Sequence, residues 1–461
     1  MVDLVIKGGT VVTPDGVSQA DVGITGGKIA ALGVLDGAKQ IDAAGKIVTP
    51  GGVDAHCHIE QMSGMGVWNA DTFETATLSA AMGGTTTVVS FAAQAKGERL
   101  RDTVANYSAR AERGARVDHA FHMTVTDVDV PDFESDLAKL IDAGHRSIKV
   151  FTTYNIMLDD TAILRVMRGA KAAGALVCVH AENDAIIATA KADLIAADKT
   201  APHHHAASHP RMAEIEAISR MCHFAEYLHQ PVMIFHVSTV EGAQIIRDTR
   251  TRGVPVWAET CTHYLGMTED VLHRDGIDGA KWMCSPPQRA QADQDALWDA
   301  LADGTLDLVS SDHAPYRFDE SGKLSAGPNP PFQDIANGLP GLEVRLPLMF
   351  DAMVTRGRGG LEQFVKLTAT APADLYGLTT KGRIAEGYDA DLILWTPDKT
   401  HTYGANDLHD NVGYNPWEGT TVTGWPETVM LRGEVIVENG TSHAKAGQGR
   451  WLKRDRIGTT V

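Results

Sequence analysis

Two histidines one residue apart close the stretch Gly51-Gly52-Val53-Asp54-Ala55-His56-Cys57-His58. Read as a strand, the stretch turns both imidazoles to one side, because side chains alternate across a strand. Two imidazoles on one face can hold a divalent metal ion, although an isolated pair is as readily two histidines satisfied by their surroundings. Four later stretches shift that balance, because each places another metal-ligating type at or near the end of an apolar run. Ser147-Ile148-Lys149-Val150-Phe151 carries a lysine, Leu176-Val177-Cys178-Val179-His180 and Val232-Met233-Ile234-Phe235-His236 close on histidines, and Leu308-Val309-Ser310-Ser311-Asp312 closes on an aspartate. Any one of these groups could simply cap a turn. As a set, imidazoles and carboxylates suit zinc or another borderline divalent ion. The lysine must snorkel, pair with a buried carboxylate or change its chemistry. Carbamylation by carbon dioxide would make it an anion able to bridge two metals.

These residues need a frame that brings strand ends together. Strands are expected near 53–58, 85–91, 118–124, 147–151, 176–180, 231–236, 254–259 and 306–311. Helical stretches lie between several of them, such as residues 71–84, stopped by Gly83-Gly84, and residues 295–304, stopped by Gly304. Eight strands alternating with helices imply a TIM-like (β/α)8 barrel, in which catalytic groups gather where the strands end. Residues 1–50 and 375–461 read instead as short strands around Gly turns. They are expected to pair with each other as a small discontinuous β-sandwich domain, leaving residues 51–374 as the barrel. The run His203-His204-His205 is expected to be a solvated loop, since three adjacent histidines cannot all face one ion.

Composition narrows the partners. The formal net charge of −18 would repel nucleic acid and anionic membrane. No apolar run approaches a membrane span, and the first residues lack the pattern of a secretory signal. The five cysteines, Cys57, Cys178, Cys222, Cys261 and Cys284, are scattered, with no C-x-x-C pair, which fits a reducing, cytoplasmic setting.

Taken together, GGVDAHCH, SIKVFTTY, VCVHAEND, MIFHVST, MCSPPQR, SSDHAPY and ANGLPGLEVRLPLMF resemble the amidohydrolase superfamily, and most closely its dihydropyrimidinase and D-hydantoinase branch. HDNVGYNPWEG and KGRIAEGYDADLILW extend the resemblance over essentially the whole chain. The resemblance implies two divalent ions, zinc first among the candidates. His56, His58 and Asp312 would hold one, His180 and His236 the other, and Lys149 would bridge them as N6-carboxylysine. It further implies that Tyr154 donates to a developing oxyanion and that Asp312 shuttles a proton. The backbone groups of Ser285 and Asn337 would hold the amide edge of a small cyclic substrate. The activity implied is hydrolysis of the ring amide of 5,6-dihydropyrimidines or 5-substituted hydantoins to N-carbamoyl amino acids, by a homo-oligomer, a tetramer in this branch.

The chain departs from the D-hydantoinase pattern at residues 59–66, where a run closer to Asp-Met-Pro-Phe-Gly-Gly is usual, and around Tyr154. Met62, Met65, Thr152 and Met157 fall in these stretches and are expected to face the exocyclic substituent, where flexible methionines adapt to more than one apolar shape. An allantoinase, a dihydroorotase or a cyclic-imide hydrolase would use the same metal chemistry. A dihydroorotase needs a cation for its substrate's carboxylate, and Arg289 is near Ser285 in sequence. A non-catalytic dihydropyrimidinase-like assembly protein is the reading from another class, and the intact set of ligand types speaks against it.

Overall fold

A computed structural model describes residues 2–456. The N-terminal segment forms β1 (Val2–Thr13), β2 (Gly16–Thr25), β3 (Lys28–Gly33), β4 (Gly37–Asp42) and β5 (Ile47–Pro50). The barrel strands follow as β6 (Gly52–Cys57), β7 (Thr85–Ala93), β8 (Asp118–Thr124), β9 (Ser147–Phe151), β10 (Leu176–His180), β11 (Val232–Ile234), β12 (Val256–Cys261) and β13 (Leu308–Ser310). The chain then returns through β14 (Leu392–Thr402), β15 (Thr421–Leu431), β16 (Glu434–Glu438) and β17 (Thr441–Ser442).

β6 to β13 form one parallel sheet in sequence order, and the bridge from Cys57 to His313 nearly closes it into a barrel. Nearly every barrel-strand residue is buried, which is why these strands read as continuous apolar runs with no alternation. Side chains including Val53, Val89, Phe91, Met233, Phe235 and Trp257 fill the interior. The barrel is therefore a packed core open to chemistry only at its rim.

All eight expected strands form, with β11 and β13 shorter than expected. The reason is local: His236 and Asp312, just beyond these strands, adopt left-handed backbone at φ 41° and 45°, which ends the extended ladder. The helices run Phe73–Met82 and Gln291–Ala302, the second starting before residue 295.

The two ends of the chain meet where β5 pairs antiparallel with β14, Val48 opposite Leu394. The resulting nine-stranded mixed sheet branches at β1, whose first half pairs with β4 and second half with β5. Ile6, Val11, Val22, Val48, Leu392 and Met430 share its core. Lys381 ties this sheet to the barrel, donating to Asp118 at the start of β8 at 2.6 Å and to Asp391 at 2.7 Å. Among the described residues, no helix is long and apolar enough to cross a membrane.

Candidate metal centre and active site

The end of β6 sets the first two imidazoles. His56 turns Nδ1 to Glu259 of β12 in a tight hydrogen bond and brings Nε2 to 3.1 Å from Asp312 Oδ1. His58 turns Nδ1 to Gln61 Oε1 at 2.9 Å and Nε2 to the same aspartate oxygen at 3.4 Å. An acceptor at each Nδ1 selects the tautomer whose Nε2 carries a lone pair. Two lone pairs would then face one carboxylate oxygen, an arrangement that repels unless a proton or a metal cation lies among them. Burial lowers the His56 imidazole, but Asp312 and Glu259 outweigh it and raise it. His56 Nε2 is buried and makes no hydrogen bond, and the ligating atoms of His56, His58 and Asp312 all lie within 4.8 Å of one another. This donor set fits a divalent metal ion. Burial alone would raise the Asp312 carboxyl, but the surrounding imidazoles of His56, His58 and His236 hold it well below the ordinary carboxylate range.

The other half of the set converges on the same place. The His236 ring centroid is 4.5 Å from that of His180 and 5.4 Å from that of His56. His180 Nε2 lies 2.9 Å from Glu182 Oε2, which leaves Nδ1 for a ligand. Lys149 is buried, with Nζ 4.0 Å from the Phe235 ring centroid, 4.9 Å from Phe151 and 5.5 Å from Phe91. Among the described residues no carboxylate pairs with it, so the paired-lysine alternative is not what forms. Burial pulls this amine down to about 8, although the neighbouring Asp312 and Glu259 carboxylates favour its charged form.

Tyr154 is held against Ser285 and Asn337, and burial keeps its phenol protonated far above the usual range. Its backbone is left-handed at φ 72°, like those of His236 and Asp312. Such strain, about 1–3 kcal/mol each for non-glycine residues, persists where the surroundings over-determine it, commonly at active sites. Asn337 Oδ1 is buried without a partner. A cavity of about 700 Å³ opens over the set, lined by all six candidate ligands, Tyr154, Ser285, Asn337, Met62, Met65, Trp68 and Ile156.

Thr152 and Met157, expected at the substrate, are elsewhere. Thr152 Oγ1 donates to the carbonyls of His180 at 2.9 Å and Glu182 at 2.7 Å, so its side chain fastens β9 to the end of β10. Met157 sits in a turn closed by its N–H to Tyr154 O at 3.1 Å and points outward, 42% exposed; Ile156 faces the cavity instead. The histidine run is also not a solvated loop. Residues 202–208 are helical, and buried His205 lines the cavity with Nε2 on the Cys284 carbonyl at 2.7 Å. Arg289 is buried away from the cavity on Ser238 Oγ at 3.1 Å, His209 O at 2.7 Å and Glu214 at 3.3 Å.

Two carboxylates escaped the sequence reading. Glu259 orients His56, and Glu182 joins His180 to Ser285, accepting from Ser285 Oγ at 2.8 Å. Burial would raise Glu182, yet His209, His180 and Arg289 bring it to about 2. Each is an acidic residue within or just past an apolar strand, a signal as visible as that of Asp312.

Residues 47–436 match the family described as the amidohydrolase family. A D-hydantoinase of Ralstonia pickettii is 42% identical over 457 residues, covering 98% of this chain and 99% of that one. A D-hydantoinase of Geobacillus stearothermophilus is 38% identical over 463 residues, covering 99% and 97%. Among solved structures, dihydropyrimidinase from Brevibacillus agri NCHU1002 superimposes with a TM-score of 0.94 at 37% identity over 98% of this chain and 99% of that one. A D-hydantoinase structure gives 0.95 at 41% identity over 99% of both chains.

Proposed function

Because the chain belongs to the amidohydrolase family and within it to the dihydropyrimidinase and D-hydantoinase branch, we propose that it hydrolyses the ring amide of cyclic ureides. The substrates are 5,6-dihydropyrimidines and 5-substituted hydantoins, and the products N-carbamoyl amino acids. The observation that carries this reading is the pair of imidazole lone pairs, His56 and His58, aimed at one oxygen of Asp312 on the cavity wall. His56, His58 and Asp312 would hold one divalent ion, and His180 and His236 a second. Lys149 as N6-carboxylysine would serve both, in keeping with the absence, among the described residues, of a carboxylate paired with it. When bound, the ions, zinc first by ligand type, supply Lewis acidity toward the ring carbonyl and acidify water to near neutral pH.

The chain's own groups do the rest. Asp312, a carboxylate at neutral pH, takes the proton of the attacking water and delivers it to the ring nitrogen as the C–N bond breaks. Tyr154, a neutral phenol, donates to the carbonyl oxygen as it gains charge. Ser285 and Asn337 hold the amide edge through their backbone groups. Met62 and Met65, beside Trp68, form the apolar wall for the exocyclic substituent. A reducing compartment such as the cytoplasm suits five free, buried cysteines, and the family resemblance favours a homotetramer.

Tyr154→Phe is expected to lower kcat on dihydrouracil by about 10²-fold or more, the scale of one lost oxyanion donor, with bound metal unchanged; steady-state kinetics with metal analysis checks this. The reading as a whole is tested by a panel on metal-replete protein: dihydrouracil, 5-substituted hydantoins, allantoin, dihydroorotate and succinimide. Dihydrouracil or a hydantoin should have the highest kcat/KM. Fastest opening of any of the other three, or of none, would overturn the proposal.

A further inference from the structure

Lys323 is fully buried, at 0% exposure, in the segment after β13. Its Nζ donates to the carbonyls of Ala336 at 2.8 Å and Met283 at 3.2 Å. Among the described residues no carboxylate pairs with it. A buried amine without a counter-ion is costly, and an apolar side chain of similar length would fill the space without that cost. What distinguishes this amine is where its two acceptors lie. Met283 is two residues before Ser285, and Ala336 directly precedes Asn337. The same Met283 carbonyl accepts from Gly338 N–H at 2.8 Å, so three hydrogen bonds lace one loop to the other.

Tyr154, at the cavity, also lies against both Ser285 and Asn337; three further side-chain bonds hold the first loop to other parts of the barrel. His205 takes the Cys284 carbonyl at 2.7 Å, Glu182 takes Ser285 Oγ at 2.8 Å, and Tyr264 donates to the Pro286 carbonyl at 2.6 Å. None of these reaches residues 336–338.

We propose that Lys323 is a positioning residue: it sets the spacing between the loops that carry Ser285 and Asn337, and so the fit of the ring's amide edge between them. This rests on the hydrolase reading given above. Burial brings the amine to about 7. Charged or neutral, it keeps at least two N–H groups, enough for both carbonyls.

The test compares wild type, Lys323→Met and Lys323→Gln as metal-replete protein. Methionine fills the space and donates nothing, while the glutamine amide still offers two N–H groups. For Lys323→Met, KM for dihydrouracil should rise about tenfold, the effect of losing an ordinary hydrogen bond's worth of alignment, with kcat within about threefold and metal content unchanged. Amide hydrogen exchange should quicken in peptides covering 283–289 and 335–341 and nowhere else in the barrel. Lys323→Gln should recover part of both effects, and it decides the question if the methionine variant does not fold. Unchanged KM with unchanged exchange would overturn the proposal, as would a fall in kcat that tracks lost metal. If wild type opens no ring yet exchange quickens in these two loops alone, the clamp between them stands and the hydrolase reading falls.

Discussion

Lys149→Ala is expected to lose nearly all bound metal and to lower kcat/KM by at least about three orders of magnitude, as when one member of a catalytic unit is removed. The reason is electrostatic. Four imidazoles and an aspartate cannot by themselves offset the charge of two divalent ions, and an ammonium at this place would add to it. The structure surrounds Lys149 with three aromatic rings and pulls its amine to about 8, so a neutral fraction is available at neutral pH. That nitrogen adds to carbon dioxide, the new C–N bond forms, a proton leaves, and the resulting carbamate is anionic. Alanine removes the group without disturbing the ladder of β9. The far-UV spectrum should therefore stay close to wild type and the thermal midpoint close to that of metal-stripped wild type, and a short carboxylic acid in excess should restore part of the activity by occupying the vacated space. Full activity of Lys149→Ala would remove the lysine from the site.

Asp312→Asn is expected to lower kcat by roughly 10²–10⁴-fold, the range for a positioned general acid–base group, while retaining much of the metal. The amide keeps an oxygen that can ligate but cannot carry the proton from water to the leaving nitrogen. Near-normal turnover with an unchanged pH profile would show that another group moves the proton.

The barrel was legible because its strands are buried on both faces, so each reads as an apolar run of the right length. The histidines, Lys149 and Asp312 were legible because a polar residue near the end of such a run has few other uses. The true ends of β11 and β13 were not, since the left-handed turns at His236 and Asp312 are imposed by tertiary packing and no glycine marks them. Thr152, Met157 and His205 were misplaced for a related reason. Outside strands no fixed alternation says which way a side chain points, so Ile156 faces the cavity where its neighbour Met157 was expected. Glu182 and Glu259 were readable by the criterion that found Asp312. The partnership of Lys323 with two carbonyls of distant loops has no local signature at all.

Ring opening of cyclic ureides by this chain would depend on a two-metal centre. The most direct test is a titration of chelated protein with zinc, counting bound metal and ring-opening turnover in the same samples. Turnover should be absent in the stripped protein and rise with bound metal to a plateau near about two ions per chain, as in other two-metal hydrolytic sites. Full turnover in protein that holds no metal would rule out a metal-dependent reaction at this site.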